Sequence, residues 1–251
     1  METPSWGPVV AHVEAIADGP PLDPSLDVTV HFHPDRLVDG VPLLIHLFAD
    51  GEYRSQFETG TSNGGLTAHA GGQRWLWEHR MFGGLYDYSP PSQRPKYGSL
   101  NYRRHPSGGS VRFGSAHLRL APHVLERVTF CYPDSVFGPT AFGTASRMSL
   151  IAEADGNDVA DLDATHEATE QGPLRVGADV AALVLDPSFR GTALTDSIDA
   201  LPFPVLWHHG FALHVDQLIQ HEDFRGPAAV ALGLQVAQDS WLTPHVIGQA
   251  A

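Results

Sequence analysis

Lysine is almost missing from this chain: Lys96 is the only one among fifteen basic residues, set against 29 acids for a net charge of −14. That balance excludes the broad phosphate-neutralising patch of a general nucleic-acid binder. Cysteine is as scarce, Cys131 standing alone, so there is no intrachain disulfide and no cysteine-built zinc site. Cys131 is expected to be a small core residue. No apolar run reaches the roughly 18 to 20 residues that cross a bilayer, and no basic stretch precedes an apolar one in "METPSWGPVVAHVEAIADGPP". The expectation is a soluble, cytoplasmic protein. The chain also lacks internal repeats, low-complexity tracts and the glycine fingerprint of a Rossmann fold.

What is present is a globular composition, 42% hydrophobic and 18% charged over 251 residues, enough for one large core. Breaks rich in proline and glycine at 19–24, 89–95 and 105–110 read as loops. Between them, 27–33 reads as a strand, "VPLLIHLFA" (41–49) as a short helix ending near Gly51, and "YRSQF" as extended. "GGQRWLWEHRMFGGLYD" reads as a helix bounded by glycines, and "YGSLNYRR" and "VRFGSAHLRL" as strands paired around the turn "HPSGG". "RVTFCYPDS" and "ATHEATEQGPL" read as strands, "GADVAALVLD" as a short amphipathic helix, and "FPVLWHHGFALHV" as a buried strand-like run. The mixture is α+β in a single domain over 1–251, with an N-terminal extension over 1–24 and a core over about 25–248.

His31 and His33, in "VTVHFHPDRL", carry the first chemical signal. Residues two apart on a strand share a face, so the pair suits a metal, with His208, His209, His214, Asp216 and His221 as further ligands of a metal-dependent hydrolase. The same imidazoles also suit hydrogen bonding to a ribose hydroxyl, or packing alone.

The stretch from His31 to Gly65, "HFHPDRLVDGVPLLIHLFADGEYRSQFETGTSNGG", resembles the opening of the ADP-ribosyltransferase superfamily. There a first strand ends in histidine, followed by a short leucine- and isoleucine-rich helix, an Asp-Gly turn and an extended basic segment. Here these are His31 and His33, Val41 to Ala49, Asp50-Gly51, and Tyr53-Arg54. The resemblance implies a split, curved antiparallel β core with flanking short helices. It implies NAD as the ADP-ribose donor and no metal. His31, His33 and Arg54 would hold the adenosine side and the phosphates, and Thr61, Ser62 and Asn63 of "TGTSNGG" would bring backbone N–H groups to the diphosphate.

Such a site needs a late carboxylate to stabilise an oxocarbenium-like ribosyl cation. "THEATEQGPLRVGADVAALVLDPSF" resembles the element that supplies it, with Glu167 in the strand and a helix from Gly177 onward; Glu170 would face away on a regular strand. In "RPKYGSLNYRR", Tyr97 is the residue placed to meet nicotinamide, with Tyr102, Tyr86 and Tyr53 as competitors.

"VTVHFHPDR", "YRSQFETGTSNGG", "RPKYGSLN" and "FCYPDS" are also similar to a bacterial family known only as a domain of unknown function, across most of the chain. There is no Ser-Thr-Ser, no His-Gly-Thr and no Glu-x-Glu partner, which leaves the subclass and acceptor open. The resemblance implies a mono-ADP-ribosyltransferase with Glu167 and Arg54 in catalytic roles. Its acceptor is a protein, nucleic acid or small molecule, and a toxin-like chain of this kind implies an antitoxin or target protein as partner. The metal-dependent hydrolase and a non-catalytic NAD or ADP-ribose binding module are the alternatives.

Overall fold

Val28–Phe32, the run VTVHF, is buried at every position, and a strand buried on both faces needs neighbours on both edges. In the computed structural model, which describes residues 6–60, 66–157, 165–198 and 201–249, it lies near the middle of a mixed eight-stranded sheet. The strands are β1 (Val28–Phe32), β2 (Lys96–Leu100), β3 (Ala116–Leu120), β4 (Val128–Tyr132), β5 (Ala141–Thr144), β6 (Glu167–Glu170), β7 (Val180–Leu185) and β8 (Val205–Trp207). Their order across the sheet is β8-β7-β3-β1-β2-β6-β4-β5, antiparallel except for the β7–β8 pair. The protein is a single α+β domain.

The ladders on the two sides of β1 differ. Towards β3 the pairing runs from Thr29↔Arg119 to Phe32↔Ala116. Towards β2 it covers only Val28↔Leu100 and Thr29↔Ser99, so β1 and β2 part beyond Thr29. The sheet opens at that point. Since side chains alternate, the register puts Thr29 and His31 on one face together with Tyr97 and Ser99 of β2 and Glu167 and Thr169 of β6.

The opposite face carries the main core, where Val28, Val30, Phe32, Leu100, Leu118 and Phe130 are at most 2% exposed. The helix Leu43–Asp50 closes it with Leu44 and Leu47 and ends on Gly51 in the left-handed region (φ 67°), a conformation that glycine adopts without steric cost. On the first face, over β4 and β5, helices Gly7–Ile16 and Gln73–Met81 pack a second cluster of Val9, Val13, Trp77, Met81 and Phe82 against Cys131. Cys131 is thus the small core residue expected.

Four sequence expectations are corrected. β2 and β3 are not a hairpin: the fully buried VTVHF run of β1 inserts between them and pairs with one of them on each edge. The run VAALVL forms strand β7, and only Val176–Asp179 is helical; lying between β3 and β8, it is apolar on both faces, a pattern that periodicity cannot separate from a buried helix. "YRSQF" turns helical at Gln56, because Ser55 and Glu58 form a reciprocal capping box. The "FPVLWHHGFALHV" run is interrupted, with strand only at Val205–Trp207 and Leu213–His214.

Candidate active site

A cavity of about 670 Å³ occupies the split between β1 and β2, with His31, Tyr97, Ser99, Ser110, Arg74 and Glu167 among its walls. Each wall residue is fixed by a neighbour, beginning with His31, which is 5% exposed. Its Nδ1 lies 3.0 Å from the Gly114 carbonyl and its Nε2 accepts from the Ser110 N–H at 3.2 Å, so the network assigns the proton to Nδ1. Burial pushes its pKa down to about 4 against the opposing pull of the Gly114 carbonyl, and the ring is neutral. The loop that supplies Ser110 lies directly on the ring: Gly108 has φ +91°, and a Cβ there would sit 2.4 Å from His31 Nε2.

Ser99 is 1% exposed, with its hydroxyl 3.1 Å from Thr29 Oγ1 and its backbone in register with Glu167. The Glu167 carboxylate accepts from Ser135 Oγ at 2.7 Å and lies 3.7 Å from Arg74 Nη1. Burial raises its pKa to about 7; Arg74 and Ser135 oppose the rise, and the Asp134 carboxylate adds to it. The carboxyl is thus balanced between its two forms near neutral pH.

Arg74 arrives from the helix Gln73–Met81, buried, with Nη1 donating to Ser135 Oγ (2.8 Å) and Nε to Gln56 Oε1 (3.2 Å). Its guanidinium lies 4.0 Å from the ring centroid of Tyr97, covering one aromatic face. The Tyr97 hydroxyl donates to Glu78 at 2.8 Å, and Glu78 is also paired with Arg94. Burial lifts the Glu78 carboxyl to about 7 and raises the Tyr97 phenol well above its ordinary value. Tyr97 is therefore rigidly held.

Of the expected site residues, the fold brings His31, Tyr97, Arg54 and Glu167 to this cavity, with Tyr53 also in its wall. Arg54 sits at the rim, its side chain 56% exposed and ion-paired with Asp50 at 2.9 Å. His33 is exposed and outside the cavity wall, because the strand ends at Phe32 and the chain turns at Pro34 before the alternation can repeat. Thr61, Ser62 and Asn63 lie outside the described residues. Glu170 does face away from Glu167, fully buried, with neither carboxyl oxygen hydrogen-bonded among the described residues.

The hydrolase ligands are not gathered. His208 spends Nε2 on the Ser115 carbonyl (2.9 Å) and Nδ1 on the Gly210 N–H (3.0 Å), and His214 caps a helix by accepting from the Asp216 N–H at 3.3 Å. Among the described residues no group of three or more His, Cys, Asp or Glu side chains is placed to hold a metal ion.

Sequence reasoning passed over Ser99, Arg74 and Ser135. Ser99 had a signal, being two residues from Tyr97 on the same strand face. Arg74 and Ser135 had none, since neither stands near Glu167 in the chain. Compared with known proteins, the sequence matches over residues 27–155 and 145–251 the family described as a protein of unknown function (DUF3626). No curated protein matches it.

Proposed function

The chain belongs to the DUF3626 family, whose description assigns no chemistry, and we propose from the cavity itself that it is a mono-ADP-ribosyltransferase using NAD. The observation that carries this reading is one row of side chains. Thr29 and His31 on β1, Ser99 and Tyr97 on β2 and Glu167 on β6 share one face of three adjacent strands, where β1 and β2 separate. A late-strand carboxylate beside a hydroxyl and an aromatic ring, in a cavity without a Rossmann loop, suits cleavage of a nicotinamide–ribose bond. Further support is the parting of β1 and β2 beyond Thr29, which opens the sheet beside that row.

In this proposal nicotinamide packs against Tyr97. The bond from ribose C1′ to the ring nitrogen breaks, and its electron pair leaves with nicotinamide. The Glu167 carboxylate stabilises the positive charge left on the ribose, with Ser99 beside it in the wall. An acceptor nucleophile then attacks C1′ and loses its proton. His31 has both ring nitrogens engaged, so it acts by holding the Ser110 loop against the adenosine side. Arg54 exchanges Asp50 for a ligand phosphate at the rim.

The test is calorimetric titration of NAD into protein stripped of metal. Saturable one-to-one binding is expected. Absence of binding, together with a stoichiometric transition metal on untreated protein, would discard the reading in favour of a metal-dependent hydrolase.

A further inference from the structure

The only lysine of the chain is buried in the wall of the same cavity. Lys96 opens β2, is 1% exposed, and its ammonium donates to the carbonyls of Ser92 at 2.9 Å and Gly172 at 3.2 Å. Two of its three N–H groups are thereby used. Among the described residues it forms no ion pair; burial lowers its pKa, and the carboxylates of Glu58, Glu52 and Glu170 oppose that from a distance. Glu58 is engaged in capping the Ser55 N–H, and burial drives Glu170 towards its neutral form. An ammonium taken out of water without a counter-ion is costly. A chain that otherwise uses only arginine has placed its one compact, point-like cation in that position.

We propose that Lys96 is an anion-binding residue whose remaining N–H grips a phosphate group of the ligand in this cavity. The assignment rests on the NAD reading, in which that group is the diphosphate. Lys96 and Ser99 are three residues apart on one strand, about 10 Å at the rise of an extended chain, and on opposite faces. A ligand reaching from Glu167 to Lys96 therefore passes through the gap between β1 and β2. Lys96, Gly98, Ser99 and Glu167 all line that one cavity, and the chain packs closely at Gly98, where a Cβ would lie 2.7 Å from the Thr29 carbonyl and 2.8 Å from Glu170 Oε1.

Lysine-selective ¹³C labelling gives one side-chain Cε resonance, since no second lysine competes. Titration with ADP-ribose, which carries the diphosphate without nicotinamide, is expected to shift it. Lys96→Met is expected to weaken ADP-ribose binding by about tenfold or more, the scale of one charge-assisted hydrogen bond, and Lys96→Arg to restore part of the loss. A resonance unmoved by ADP-ribose, NAD or inorganic diphosphate overturns the assignment, as does a folded Lys96→Met protein that binds ADP-ribose as tightly as the parent. A shift with inorganic diphosphate alone keeps the phosphate site and discards the NAD reading. NAD binding that leaves the resonance unmoved does the reverse. Should Lys96→Met fail to fold, the resonance in the unaltered chain decides.

Discussion

Arg74 and Glu167 are bridged by a single hydroxyl: Arg74 Nη1 donates to Ser135 Oγ at 2.8 Å, and that oxygen donates to the Glu167 carboxylate at 2.7 Å. The guanidinium and carboxylate are 3.7 Å apart, both buried. This arrangement positions the carboxylate and controls its ionisation. It also makes the two functions separable by experiment.

Nicotinamide release should follow the ionised form of Glu167, rising with pH with a midpoint near 7, where burial has placed its pKa. Arg74 lowers that pKa, so Arg74→Met should move the midpoint to higher pH, and Arg74→Lys should return it part of the way. A purely structural role would lower the plateau and leave the midpoint in place. The pH–rate profiles of the three proteins distinguish these outcomes.

Glu170 should be a burden on stability above the carboxylate range. It is fully buried, and burial holds its folded-state pKa well above the ordinary 4.5, so the folded state keeps a proton that the unfolded chain releases. Stability therefore falls as pH rises past 4.5 through the folded value. Glu170→Gln keeps the shape and removes the titration. Its melting temperature should match the parent's at the acid end and exceed it increasingly towards alkaline pH; a constant difference would contradict the assignment.

The loop on His31 requires glycine. At Gly108, φ is +91°, and an added Cβ would meet His31 Nε2 at 2.4 Å and His117 Nδ1 at 2.9 Å. Gly108→Ala should cost about 1 to 3 kcal/mol in denaturant unfolding, the scale of one strained backbone site. An unchanged unfolding midpoint would show that the loop does not rest on the ring as described.

The elements that sequence made legible were those specified locally. The strand ending at Phe32, the helix before Gly51 and the helix after Gly72 each carry their own pattern and stop signal. Tyr97 and Glu167 were singled out by the family resemblance, and alternation along the strand only separated Glu167 from Glu170. Pairing was not legible: residues 101–115 are compatible with a hairpin, and only the demand of β1 for two neighbours places β2 and β3 on either side of it. His33 followed the same alternation as His31, but the strand stops one residue too early for the rule to apply. Arg74 and Ser135 reach Glu167 through tertiary packing, which no spacing in the chain records.

The most direct measurement compares nicotinamide release from NAD by the parent chain and by Glu167→Gln, at a pH above 7 where the carboxylate is ionised. The substitution keeps the shape and removes the charge. The account predicts a fall in turnover on the order of a hundredfold or more with NAD affinity nearly unchanged, as expected for a group that acts on charge developing in the transition state. Release by Glu167→Gln within a few fold of the parent would contradict it.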